Sequence, residues 1–162
     1  MEQWKLDQLK NAAEAGDNTA RLVLGNYYRF KSGEFAKLAF ENFRAAAEQN
    51  DPEACYHLGR CYHFGLGVDV DLVEAAEWIL KSANMDFVEA QVNLGICYMQ
   101  GAGFIKDEKE AFRWWEKAAK AGHPGAMINL ARCYGEGIAV EKDQKKALEL
   151  LEKVKKIEGE KE

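Results

Sequence analysis

Three groups of residues have types and spacings that could do chemistry. His57, Cys61 and His63 lie close together, and imidazole nitrogens and a thiolate are what a zinc ion binds. Gly65-Leu66-Gly67 and Gly101-Ala102-Gly103 each precede a helical pattern, where a glycine-rich backbone can cradle phosphate. Asp71, Asp107 and Asp143 stand 36 residues apart, and positioned carboxylates serve as general acids and bases.

Each group has a plainer explanation. A closed zinc site needs four ligands, and on a helix Cys61 falls on the apolar stripe while His63 projects elsewhere. A nucleotide loop needs a preceding strand and one special copy. Here the glycine pair recurs, and it ends one helix in a left-handed turn so that the next can fold back. The aspartates open helical patterns, and Asp71 and Asp107 have Glu74 and Glu110 three residues on, which is a capping box. No Ser-His-Asp or Cys-His arrangement is present to activate a nucleophile. The sequence therefore predicts a non-enzyme with no metal and no cofactor.

The elements carrying these residues are copies of one another. Leu58-Gly59-Arg60-Cys61-Tyr62, Leu94-Gly95-Ile96-Cys97-Tyr98 and Leu130-Ala131-Arg132-Cys133-Tyr134 are 36 apart, and Leu24-Gly25-Asn26-Tyr27-Tyr28 lies 34 before the first. Ala39, Ala75, Ala111 and Ala147 open the matching second-helix motif. A fixed period of this size signals stacked supersecondary units. The boundaries read as one repeat domain over 1–162, with a capping helix (1–16), four repeats (17–50, 51–85, 86–122 and 123–158) and a tail (159–162). Second helices are expected over about 34–49, 71–84, 107–121 and 143–157. Their inner faces carry Phe40 and Phe43; Trp78 and Ile79; Trp114 and Trp115; Leu150 and Leu151. The recurrence of Tyr28, Tyr62, Tyr98 and Tyr134 in one register favours packing over an aromatic cage.

Composition narrows the function classes. A net charge of −5 in 162 residues lacks the basic face that nucleic-acid binding requires. The N-terminus, MEQWKLDQLKNAAEAG, has no secretory n-region and apolar core, and no apolar run suits a membrane span. Cys61, Cys97 and Cys133 share a repeat position, and Cys55 lies about 9 Å from Cys61 along one helix, too far for a disulfide. A reduced, cytoplasmic protein is expected.

The pattern A-x-x-x-L-G-x-x-Y, then G-x-G-hydrophobic, then A-x-x-W-x-x-K-A-A-x-x-G, is seen over 90–122. It resembles the Sel-1-like repeat family, relatives of the tetratricopeptide repeats. The resemblance covers about 18–157. Departures are Ser32-Gly33-Glu34 in place of the glycine loop, Ala131 for the family glycine and Leu150 for the family tryptophan. It also lacks the second-helix cysteine of secreted relatives with a disulfide in each repeat. The resemblance implies an all-α, right-handed α-solenoid superhelix of antiparallel helix pairs, whose first helices line a concave groove. It implies an adaptor or scaffold that binds a protein or peptide.

A helical wheel locates that groove. The outward positions are Leu22, Asn26 and Arg29; Glu53, Tyr56, Arg60 and His63; Glu89, Val92, Asn93, Ile96 and Met99; Ile128, Asn129 and Arg132. Leu22, Val92 and Ile128 are expected to pack on neighbouring first helices. The candidate binding residues are Asn26, Arg29, Tyr56, Arg60, His63, Asn93, Ile96, Met99, Asn129 and Arg132. Arg60 and Arg132 share a register, as do Asn93 and Asn129. Related tetratricopeptide grooves hold carboxylates with such Asn and Lys/Arg ladders, so the expected partner is a peptide with an acidic or free C-terminal end. Two alternatives stand beside this one. A self-associating structural protein would pair through Trp4 and the 147–154 face, although a monomer is expected. An engineered scaffold without a ligand is the other. A hydrolase is a remote third class.

Overall fold

The structure, a computed structural model, describes residues 1–31 and 33–159. Ser32 and residues 160–162 of the expected tail lie outside the described residues. Among the described residues there are nine helices and no strand. They are α1 (Gln3–Glu14), α2 (Asn18–Tyr28), α3 (Glu34–Ala47), α4 (Pro52–Phe64), α5 (Leu72–Asn84), α6 (Val88–Gln100), α7 (Glu108–Lys120), α8 (Pro124–Glu136) and α9 (Gln144–Gly159). The chain packs as two compact units, Met1–Phe87 and Val88–Glu162. In the first, each helix from α1 to α5 packs on the next; in the second, each from α6 to α9 does so.

Two turn types alternate, and both follow from local chemistry. Within a repeat, Gly65 and Gly137 end their helices in the left-handed conformation. The carbonyls of Cys61, Cys97 and Cys133 accept from the amides of Leu66, Ala102 and Ile138, each at 2.9 Å, which is the 6→1 bond of a Schellman turn. The loop is closed by the amides of Asp71, Asp107 and Asp143 donating to the carbonyls of Tyr62, Tyr98 and Tyr134 at 2.8–3.0 Å. Between repeats, Gly16, Asn50, Asp86 and Gly122 all take positive φ. Asn and Asp stand in for glycine because their short polar side chains tolerate that region.

The aspartates cap helices, as expected. The Asp71 carboxylate accepts from the amides of Val73 and Glu74, Asp107 from Lys109 and Glu110, and Asp143 from Lys146, all at 3.0 Å. Asp51 accepts from Ala54 before Pro52, and the His123 imidazole accepts from Ala126 before Pro124. Repeat 1 departs: α3 begins after Gly33 at φ 70 with no side-chain cap, and α2 stops at Tyr28.

The two helices of a repeat meet through a missing Cβ. A Cβ on Gly25 would fall 2.5 Å from the Phe43 ring, and one on Gly59 would fall 2.8 Å from Ile79 and from the Ala75 carbonyl. One on Gly95 would overlap the indole of Trp115. Phe43, Ile79 and Trp115 are buried, and each fills the space its glycine leaves. Leu151 holds the same register opposite Ala131, but it is 39% exposed. That corrects its placement on the inner face: Ala131 keeps its methyl, so no cleft of this kind opens for a large side chain. Trp78 and Trp114 are only half-buried, with Lys81 and Lys117 over their rings at 4.8 and 5.4 Å.

Two predictions test this account. Gly95→Ala forces the methyl into the immobile Trp115 ring and lowers stability by about 1–3 kcal/mol, although alanine is the better helix former. Adding Trp115→Leu, the Ala131/Leu151 combination, recovers part of that loss in denaturant melts. Ala139 holds φ 62 where Gly67 and Gly103 stand in the other loops. Ala139→Gly therefore stabilises by about 1 kcal/mol, seen as a higher midpoint with an unchanged m-value.

Candidate functional site

In the 1–87 unit, the outward faces of α2 and α4 bring polar and aromatic groups together. The Asn26 amide nitrogen reaches the Glu53 carboxylate at 3.5 Å. The Asn26 Oδ1 and the Arg29 Nε are buried without a hydrogen-bond partner among the described residues. Arg29 lies 4.5 Å over the Phe30 ring. Arg60 lies 5.7 Å over Tyr56 and 5.6 Å over Phe64, and Tyr56 sits 5.3 Å from Phe87. His63 meets the same Phe64 ring edge to face at 4.6 Å.

His57 is the residue the wheel argument left off this surface. It is 8% exposed, stacks on Phe43 at 4.7 Å and lies 3.6 Å from Glu53. Burial first, then the positive charges of Arg29 and Arg60, lower its pKa from 6.5 to about 4. The imidazole is therefore neutral at pH 7, and its contact with Glu53 is not an ion pair despite the short distance. The Cys61 thiol is pushed up to about 11 by burial, so it stays protonated. His57, Cys61 and His63 thus face a stacked ring, the core and Phe64, and do not converge on one point.

In the 88–162 unit, Ile96, Met99, Asn129 and Arg132 line one cleft of about 190 Å³ with Gln100 and Trp115. The Trp115 indole N–H donates to the Val92 carbonyl at 3.1 Å, which fixes the ring plane, and the Arg132 guanidinium lies 6.0 Å over that ring. Asn93 is not part of the cleft: its amide donates back to the Glu89 carbonyl of its own helix at 3.2 Å. Leu22 and Val92 are partly buried against the cores of their units. Ile128 instead is 46% exposed, which corrects its expected packing on a neighbouring first helix. Gln100 and Trp115 were missed because one ends its helix and the other belongs to a second helix, outside a first-helix wheel.

A family model for the Sel1 repeat matches residues 36–51, 52–87, 88–123 and 124–153, more than half of the chain. The chain belongs to the Sel1 repeat family. Members typically serve as protein–protein interaction modules. Among solved structures, this Sel1 chain is similar to c5321, a protective antigen of uropathogenic Escherichia coli with an SLR fold. That match has TM-score 0.88 and 35% identity, and covers 94% of this chain and 33% of that one. A Sel1 repeat protein of Oxalobacter formigenes matches with TM-score 0.86 and 29% identity, over 93% of this chain and 63% of that one. These neighbours confirm the all-α solenoid of helix pairs. The DAP3-binding cell death enhancer 1 of Rattus norvegicus is 38% identical over 77 residues, 48% of this chain and 15% of the rat protein. The Sel1 chain thus spans less than two thirds of the length of all three.

The buried imidazole gives a pH signature. Because His57 has a lower pKa folded than unfolded, the unfolded chain takes up the proton first, and stability falls as pH drops from about 6.5 to about 4. The loss from this group is roughly 3 kcal/mol. Urea melts across that range should show a slope that His57→Phe reduces, and the imidazole resonances should titrate near pH 4.

Proposed function

We propose that this chain is a non-catalytic interaction module, an adaptor or scaffold, that binds a peptide segment on the outward faces of its first helices. One observation carries the reading: the α6–α8 cleft combines an apolar floor with a cation. Ile96 and Met99 offer burial with Trp115 packed behind them, and Arg132 and Asn129 offer donors suited to a carboxylate. Arg132 is exposed and makes no ion pair among the described residues. In the 1–87 unit, Arg29, Arg60 and Asn26 supply further donors beside Tyr56, with His63 at the edge. Asn93, half-buried on α6, is assigned to the same outward face beside the cleft.

The rat relative is named as DAP3-binding, which agrees with an interaction role although this chain matches a small part of it. The partner class is a peptide with an acidic or free C-terminal carboxylate. Four free, buried cysteines fit a reducing compartment, and we assign the chain to the cytoplasm. No described helix is long and apolar enough to cross a membrane.

A second reading, self-association, is favoured by Trp4 at 56% exposure and Leu148 at 60%. Concentration-dependent light scattering separates the two, since a monomer at high concentration removes it.

The test is a peptide array carrying free C-terminal carboxylates, with hits measured by calorimetry against the chain and against R60A/R132A. Binding should weaken about tenfold in the double variant and also when the peptide is amidated. Unchanged affinity in both comparisons overturns the proposal.

A further inference from the structure

Another cavity of the 88–162 unit shares no residue with the cleft just described. It has a volume of about 330 Å³, within the range of small-ligand pockets. Met127, Leu130 and Tyr134 of α8 form its floor, Ala119 lines it from α7, and Leu150 and Lys153 line it from α9. Its mouth lies among exposed charged residues of α7 and α9.

The internal repeat shows what such a space holds. Two repeats (72 residues) earlier, the positions of Tyr134, Leu150 and Lys153 are Tyr62, Trp78 and Lys81. There Trp78 packs against the core cluster, and the Lys81 ammonium lies 4.8 Å from its ring. Beside it Phe40 meets Tyr62 edge to face at 5.5 Å. In the later copy Phe112 meets Tyr134 edge to face at 5.6 Å, so this ring pair is preserved, with Lys146 added 5.1 Å over Tyr134. The indole is replaced by the smaller Leu150, while Met127 stands for Cys55 on the floor and Glu116, Lys120 and Lys146 stand for Arg44, Glu48 and Glu74 around it. Trp114, the remaining tryptophan of this register, also has its lysine, Lys117, at 5.4 Å. Thus the Trp–Lys pair recurs wherever the tryptophan does. Lys153 keeps the lysine position on α9, where it has no ring of its own beneath it among the described residues.

We propose that this cavity is a socket for a tryptophan side chain presented by a partner polypeptide. The incoming indole occupies the place Trp78 fills in the earlier copy, against Leu130, Tyr134 and Leu150 and beneath the Lys153 ammonium. An ammonium over an indole face is an attractive pair, and a buried indole N–H needs an acceptor. Glu116 and Glu149 in the lining are candidates for that role. The proposal uses none of Ile96, Met99, Asn129 or Arg132, so it stands independently of the cleft.

The test is a ¹H–¹⁵N NMR titration of the whole chain with N-acetyl-tryptophanamide, which mimics the side chain within a polypeptide. Saturable shifts should cluster at Ala119, Met127, Leu130, Tyr134, Leu150 and Lys153. Leu150→Trp, which supplies the indole from within, should abolish them and raise the melting temperature. Lys153→Gln should weaken binding about threefold. Should Leu150→Trp fail to fold by circular dichroism, Ala119→Phe closes the same opening from α7 and should likewise abolish the shifts. Shifts that are absent, scattered, or persist in the blocked variant overturn the proposal. Equal binding of N-acetyl-leucinamide overturns the preference for indole. Tighter binding of free zwitterionic tryptophan overturns the polypeptide source.

Discussion

The contact on which the rest depends is that between a glycine in a first helix and a large side chain in the second. At Gly25, Gly59 and Gly95 there is no room for a Cβ, because Phe43, Ile79 and Trp115 fill the space. Close packing makes such a contact nearly all-or-none, since an interior at crystal density has little slack. The glycine weakens its own helix. The buried side chain in the facing helix offsets that loss. In the 88–162 unit the same contact supports the candidate site: Trp115 is seated against Gly95, bonded to the Val92 carbonyl, and forms part of the cleft wall. In the proposed peptide site, packing and the cleft wall therefore share one ring.

The turns make a matching argument for the polar groups. Helix ends leave backbone donors and acceptors without partners, and here the same few solutions recur. Cysteine carbonyls accept the Schellman bonds, tyrosine carbonyls accept from the aspartate amides, and the aspartate side chains cap the next helix. These are the groups whose types first suggest phosphate binding or acid–base chemistry. They are engaged in holding the turns. The buried histidine and cysteines are likewise kept neutral by their surroundings, His57 by burial and the charges of Arg29 and Arg60, and Cys61 by burial.

What remains for recognition is the part of the surface not needed for the repeat. On the first helices that is a mixture of arginine, asparagine and apolar side chains, the composition that suits an extended or helical peptide. Aromatic rings sit beneath the guanidinium groups of Arg29, Arg60 and Arg132. Such stacking holds a planar cation in place without using its hydrogen bonds, leaving the donors for a ligand.

Much of the architecture is legible in the sequence, because local interactions decide it. A period of 36 residues marks each helix pair, Asp and Pro mark the starts, and positive-φ residues mark the ends. A helical wheel also separates the inward from the outward face of each first helix. Depth, however, depends on the neighbouring side chain. The structure, not the pattern, distinguished fully buried Trp115 from half-buried Trp114, left Leu151 and Ile128 exposed, and placed His57 against Phe43. It also parted Asn93 from Asn129, which share a register, because Asn93 bonds within its own helix while Asn129 meets a cleft built by α6 and α7. Periodicity is a property of one helix. A cleft is a property of three, set by how closely their side chains let them approach.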